Sequence, residues 1–116
     1  MPARAFHHRH LPDHSSLLAG QRPEEWDVAW RSDRLQIWFN NTELGWQDDG
    51  SHAHAASDEI FIVLEGTVVI EVDGARVEIG PGEFCCFPQG LAHSVVETRP
   101  PLRTFMLRAP SIDDKV

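Results

Sequence analysis

The feature that most limits how this chain can fold is a series of short apolar segments separated by turn-forming residues. From residue 59 onward the breaks fall at Gly66, Asp73-Gly74, Gly80-Pro81-Gly82 and Pro88-Gln89-Gly90. The Asp-Gly pair favours a tight hairpin, because both central residues of that turn need positive φ. Short segments between turns, with no long helical period, are typical of β-strands. We therefore predict an all-β fold, an antiparallel jelly-roll β-barrel.

A chain of 116 residues has room for one domain with a single core. We predict a barrel over residues 21–110, preceded by an N-terminal arm at 1–20 and followed by a polar tail at 111–116. The arm carries four irregularly spaced histidines between His7 and His14. Chain termini are often poorly ordered, so the arm is either disordered or exchanged with a partner subunit.

Composition excludes several classes of partner. The formal net charge is -8, and the ten basic residues are scattered, which argues against binding to nucleic acid or to an anionic membrane surface. The longest apolar run, Ile60 to Leu64, is too short to span a bilayer. Cys85 and Cys86 are adjacent, so they provide no disulfide framework. Together with the lack of a recognisable secretion signal, this predicts a cytoplasmic protein.

Metal-ligand residue types are concentrated at the start of the β region. His52 and His54 are two residues apart, so on a strand their imidazoles lie on the same face, and Glu59 follows after a turn. This ligand chemistry suits one divalent transition metal, namely Fe, Mn, Ni, Zn, Co or Cu. Each residue taken singly is more often an ordinary surface residue, so the interpretation depends on the set.

The spacing of these residues resembles the first conserved motif of the cupin superfamily. In that motif H-x-H is followed by a glutamate and then a glycine. Here four residues separate His54 from Glu59, and six separate Glu59 from Gly66. A glycine that precedes the motif in the family is displaced by one place, at Gly45.

A second segment is similar to the second cupin motif. Gly82 is followed at the family's spacing by Pro88-Gln89-Gly90 and then by His93. The final asparagine of the motif is replaced here by Glu97. The resemblance covers roughly residues 34–108. It implies a small barrel that holds one metal ion through four ligands, which are His52, His54, Glu59 and His93.

Glu97 is the candidate catalytic residue. It lies four residues after His93, so on a regular strand it shares that residue's face and enters the cavity as an acid–base group. In the alternative, the strand twists or ends, and Glu97 faces solvent close to Arg99. Cys85 and Cys86 must face opposite ways on a strand, so one of them lines the barrel.

The segment from Glu59 to Gly66 is apolar on both faces. We predict that Phe61 and Val63 point inward with Glu59, which leaves a second apolar set of Ile60, Ile62 and Leu64 on the outer face. A barrel strand with a solvated outer face should be polar there. The outer face is therefore covered, either by the N-terminal segment or by a second subunit, and we favour a homodimer.

The function implied by the resemblance is metal-dependent action on a small molecule in the barrel mouth. The metal would activate O₂ in a dioxygenase, or serve as a Lewis acid in a non-redox isomerase, lyase or cyclase. A non-catalytic module that binds a small ligand or a metal is the remaining alternative, because fold does not determine function. Arg76, Arg103 and Arg108 would bind an anionic substrate if they pointed inward, but we expect them to point outward.

Overall fold

The computed structural model describes residues 6–116, and all regular structure in this range is β-strand. The strands are β1 (Ser16–Gly20), β2 (Trp30–Arg31), β3 (Gln36–Thr42), β4 (Asp58–Val72), β5 (Ala75–Ile79), β6 (Phe84–Phe87) and β7 (His93–Ala109). They form one seven-stranded sheet in the order β2-β1-β3-β7-β4-β5, and β6 pairs with β4. The predicted all-β class is confirmed, although the strand path is open rather than a closed barrel.

The two long strands β4 and β7 organise the sheet. They pair with each other along both halves, and β4 also pairs with β6 in its first half and with β5 in its second. The β4–β7 register shifts near Val63, Glu65 and Thr67. Such irregularities bend a strand and increase its twist, so the sheet curls over itself here. Gly66 lies within this bend at φ +83°.

The core occupies the inside of this curl. Phe61 and Val63 from the first half of β4 pack with residues of its second half and of the neighbouring strands, namely Val68, Ile70, Ile79, Phe87, Val95 and Leu102. The predicted inward set of β4 is confirmed, because Glu59, Phe61 and Val63 are all buried. Leu64 on the opposite face is 45% exposed.

Both ends of the chain pack against the sheet more than the sequence suggested. Ser16–Gly20, at the end of the predicted arm, forms β1 and pairs with β3, with Leu17 and Ala19 buried. Residues 1–5 of that arm lie outside the described residues. In the predicted tail, Ser111 is 2% exposed. Within residues 6–116 there is no helix long and apolar enough to cross a membrane.

Candidate metal centre

Strand pairing brings the four predicted ligand residues together. His52 lies opposite His93, and the two residues exchange backbone hydrogen bonds of 2.9 and 2.8 Å. Glu59 lies on β4, and its inward side chain reaches the same centre. One ligand atom from each of His52, His54, Glu59 and His93 lies within 4.8 Å of all the others. All but His52 are buried, so the group forms a largely solvent-excluded centre.

The imidazoles of His54 and His93 are oriented by acceptors behind them. Nδ1 of His54 lies 3.1 Å from Oδ1 of Asp114, and Nδ1 of His93 lies 2.9 Å from the carbonyl oxygen of Leu91. A carboxylate and a carbonyl only accept, so we assign the Nδ1 proton to both rings. The Nε2 atoms then face Glu59, at 3.1 Å from His54 and 2.9 Å from His93.

These contacts fit a metal ion. Nε2 of His54 is buried and makes no hydrogen bond, despite its short distance to Glu59. A hydrogen bond from Nε2 of His93 to Glu59 needs a second proton on that ring, because Nδ1 already carries one. A divalent cation among the Nε2 atoms and the carboxylate would satisfy both rings without that proton.

The surroundings hold Glu59 in its ionised form. Burial alone raises the pKa of Glu59, but hydrogen bonds from His93 and Arg108 outweigh burial and lower it below its usual value. Burial likewise lowers the pKa of His93, but its hydrogen bonds to Glu59 and to Leu91 raise it overall. The pKa of His52 is lowered by burial and then by the charge of His93. An ionised carboxylate is the form that binds a cation.

Arg108 is an inward-facing cation beside the four ligands. Its Nη2 donates to Oε2 of Glu59 at 3.0 Å, its Nη1 donates to Oε1 of Gln36 at 3.1 Å, and its side chain is 12% exposed. The expectation that this arginine points outward is wrong. Arg108 lies directly opposite Glu59 in the β4–β7 register, and directly opposite cross-strand residues share a face. Arg108 lies six residues after inward-facing Leu102 on β7, and residues an even number apart on a strand share a face. This spacing is the sequence signal that would have predicted the inward placement.

The centre opens into a cavity of about 170 Å³. Its other walls are polar at Asn40, Asp48, Arg108 and Lys115, and apolar at Trp46, Phe61 and Met106. This volume suits a small ligand. A larger depression of about 360 Å³ lies between the N-terminal segment and Trp30. The candidate metal-ligand group found among the described residues lies at the smaller of these two cavities, where His52, Glu59 and His93 form part of the wall.

Glu97 does not line the cavity, and its predicted placement is corrected. Its side chain is 49% exposed, and its Oε2 accepts a hydrogen bond from Nε of Arg99 at 2.7 Å. In the register, Val95 pairs with Ile70 while Glu97 pairs with Val69, so Val96 is an extra residue. Such a bulge reverses the faces that follow it. The alternative in which Glu97 faces solvent near Arg99 is the one that the structure shows.

Three charged residues near the centre were not singled out from the sequence. Asp48 lines the cavity, and its Oδ2 accepts a hydrogen bond from the Val95 amide at 2.8 Å. Asp114 contacts His54 from behind, and Lys115 lies at the cavity rim. Asp48 lies in a polar turn and the other two in the C-terminal tail, and local sequence in such segments contains no periodic signal.

The chain resembles known proteins in its sequence motifs and in its fold. The family model for the cupin domain matches residues 41–107, which is more than half of the chain. No curated protein matches the chain. A cupin-2 domain containing protein from Shewanella frigidimarina is 27% identical, with a TM-score of 0.54 over 67% of this chain and 72% of that chain.

Other solved structures are similar in fold at lower identity. KdgF from Halomonas sp. has a TM-score of 0.66 at 21% identity, over 86% of this chain and 80% of that chain. The DMSP lyase DddQ from Ruegeria pomeroyi has a TM-score of 0.66 at 22% identity, over 88% and 49%. The Streptomyces nucleoside dehydratase Pac13 has a TM-score of 0.60 at 14% identity, over 73% and 68%. At these identities the likeness shows a shared fold.

Proposed function

This chain belongs to the cupin domain family, and from that membership we propose that it is a metal-dependent enzyme acting on a small anionic molecule in its cavity. The metal would be held by His52, His54, Glu59 and His93. The observation that carries the proposal is the buried convergence of these four side chains, in which Nε2 of His54 has no hydrogen-bond partner.

The charges of the cavity support an anionic substrate. Arg108 and Lys115 contribute two cations to its wall, which offset the carboxylates of Glu59 and Asp48. A divalent metal would therefore make the cavity positive overall. Two nitrogens of the Arg108 guanidinium donate to Glu59 and Gln36, which fixes the guanidinium at the cavity wall. A planar guanidinium suits a carboxylate or phosphate group.

The reaction class that we propose is acid–base chemistry without redox change, as in a lyase or a dehydratase. A bound metal would act as a Lewis acid that polarises a substrate oxygen. Asp48 replaces Glu97 as the candidate acid–base group, because its carboxylate lines the cavity 3.8 Å from Nδ1 of His52. Two proteins of similar fold are named as a lyase and a dehydratase, so the fold is compatible with this class.

The metal site is tested by elemental analysis of purified protein. We expect wild-type protein to retain about one equivalent of a divalent transition metal, and His54→Ala to retain less than about a tenth of that, because a buried ligand is lost. His14→Ala is the matched control, since His14 is 73% exposed and lies outside the four-ligand group. Stoichiometric metal in His54→Ala would show that the proposed site is wrong.

The reaction class is tested with metal-loaded protein and a panel of small hydroxy acids, keto acids and sugar acids. Products are followed by proton NMR, and O₂ is followed with an electrode. We expect elimination or loss of water without O₂ uptake. Arg108→Gln should lower kcat/KM on the order of 100-fold, because it misplaces the anion. Arg76→Gln, which changes an exposed ion pair, should leave kcat/KM unchanged.

Other outcomes of this assay would contradict the proposal in distinct ways. O₂ uptake in proportion to product would establish the dioxygenase instead. Full activity in Asp48→Asn would exclude Asp48 as the acid–base group. Calorimetric titration in which no member of the panel binds would refute the substrate class and favour a module that binds metal alone.

We also propose that the protein is a homodimer in the cytoplasm. Ile60 and Ile62 on the outer face of β4 are only partly buried, and neighbouring Phe84 is 68% exposed. An apolar sheet face of this kind is typical of a contact surface. Cys85 and Cys86 are both free thiols, which agrees with a reducing compartment.

A further inference from the structure

The C-terminal segment, residues 111–116, pairs with the backbone that carries His52 and His54. Ala53 and Val116 exchange hydrogen bonds of 3.0 and 2.8 Å, and the Ala55 amide donates to the carbonyl oxygen of Asp114 at 3.1 Å. At the other end of the segment, Oγ of buried Ser111 accepts from the Gln21 amide at 2.9 Å. The segment is therefore held at both ends alongside the ligand-bearing backbone.

The Asp114 carboxylate is held in place independently of the histidine that it faces. Its Oδ2 accepts from the Ala56 amide at 2.9 Å and from the Ser57 hydroxyl at 2.8 Å. Its Oδ1 remains for Nδ1 of His54, 3.1 Å away. The Asp114 side chain is 8% exposed and Ser57 is fully buried. The two oxygens thus have different partners and separate roles.

The geometry points to Asp114 as a positioning residue for metal binding, delivered to the site by the C-terminal segment. An acceptor at Nδ1 keeps the proton on that nitrogen, so the lone pair of His54 lies on Nε2 and faces the other ligands. The same segment places Lys115 at the cavity rim, so one short stretch of chain supports both a ligand and the wall. This inference rests on the metal site proposed above.

The substitution Asp114→Asn separates orientation from anchoring. The amide oxygen of Asn can still accept from Ala56 and Ser57, which places its NH₂ group against Nδ1 of His54. The ring must then accept at Nδ1 and carry its proton on Nε2, where the metal would bind. We expect the affinity for Co²⁺ or Zn²⁺ to fall by about 10- to 100-fold.

Asp113→Asn is the matched control, because Asp113 is adjacent, exposed and of the same charge. Affinities are measured by competition with a chromophoric chelator, and the melting temperature of each metal-free variant is measured in parallel. We expect both variants to melt close to wild type, and only Asp114→Asn to lose metal affinity. Equal affinities in the two variants would overturn the inference while leaving the metal site intact.

A second measurement does not depend on any variant. Long-range ¹⁵N–¹H NMR of metal-free wild-type protein at pH 8 reports which nitrogen of His54 carries the proton. The inference requires the proton on Nδ1, and a proton on Nε2 would refute it. If wild-type protein bound no metal while Nδ1 carried the proton, the proposed function would fail and the orientation of His54 by Asp114 would remain supported.

Discussion

At the scale of single residues, the centre is defined by where protons and charges lie. Glu59 is 3% exposed, yet its ionised form is favoured because Arg108 donates to it and Nε2 of His93 lies only 2.9 Å away. The spacing of His52 and His54 predicted that both belong to one site, because H-x-H on an extended segment places both imidazoles on the same side. Spacing could not predict Asp114 behind His54, because the two are 60 residues apart and meet only through backbone pairing.

Cys85 and Cys86 are neighbours on β6, but their side chains lie in different environments. They face opposite ways, as predicted: Cys85 lies in register with inward-facing Phe61, and Cys86 is exposed. Burial raises the pKa of Cys85 to about 11. At pH 8 only about one Cys85 in a thousand is therefore a thiolate, which is the reactive form.

We expect iodoacetamide at pH 8 to modify Cys86 long before Cys85, as followed by mass spectrometry. In Cys86→Ser the slow reaction of Cys85 should accelerate about tenfold per pH unit toward pH 11, because a higher pH favours the thiolate. Cys85→Ser supplies the fast comparison. If the two variants are labelled at similar rates, the inward placement of Cys85 is wrong.

At the scale of elements, bulges decide which residues face the cavity. The register shift at Val96 turns Glu97 outward, whereas the last part of β7 keeps Arg108 inward opposite Glu59. Period-two reasoning is sound within an unbroken strand, and it failed for Glu97 because one extra residue reverses the faces. Gly66 lies at the register shifts that bend β4. We therefore expect this position to tolerate an added side chain less than other glycine positions in the sheet.

We expect Gly66→Ala to destabilise the fold far more than Gly82→Ala. Both glycines have positive φ, +83° and +81°, so both variants pay the left-handed penalty of about 1–2 kcal/mol. A Cβ at Gly66 would also lie 2.5 Å from the Pro101 carbonyl oxygen and 2.8 Å from that of Arg99. At Gly82 nothing lies within 4 Å.

Urea unfolding of the two variants measures this difference. The free energy of unfolding should fall by about 1–2 kcal/mol in Gly82→Ala and by more than about 3 kcal/mol in Gly66→Ala. Equal losses would mean that the bend relaxes to accept a side chain.

At the scale of the whole molecule, one curled sheet gives the chain an inner face with the ligand centre and an outer face that is partly apolar. Ile60, Ile62 and Leu64 alternate with the inward residues of β4, and Phe84 lies opposite Ile62 on β6. These residues form a continuous patch across two strands. The predicted homodimer would bury this patch.

Size-exclusion chromatography with light scattering tests this assembly. We expect wild-type protein at micromolar concentration to have twice the chain mass, and Phe84→Glu to be monomeric, because a charge would be buried in the contact. Leu44→Glu is the control, since Leu44 is 91% exposed and lies on neither β4 nor β6. A monomeric wild type would refute the assembly and leave the metal centre untouched.

The sequence by itself determined the all-β class and the turns, and its resemblance to the cupin motifs indicated the four clustered candidate ligands. The strands and turns depend on alternation or spacing within a short stretch, which local backbone geometry reads directly. Only the tertiary structure decided that Glu97 faces solvent, that Arg108 faces the cavity, and that Asp114 supports His54. Those placements depend on cross-strand register, on a bulge and on pairing between distant segments. Such contacts join residues far apart in the sequence, so no local sequence pattern specifies them.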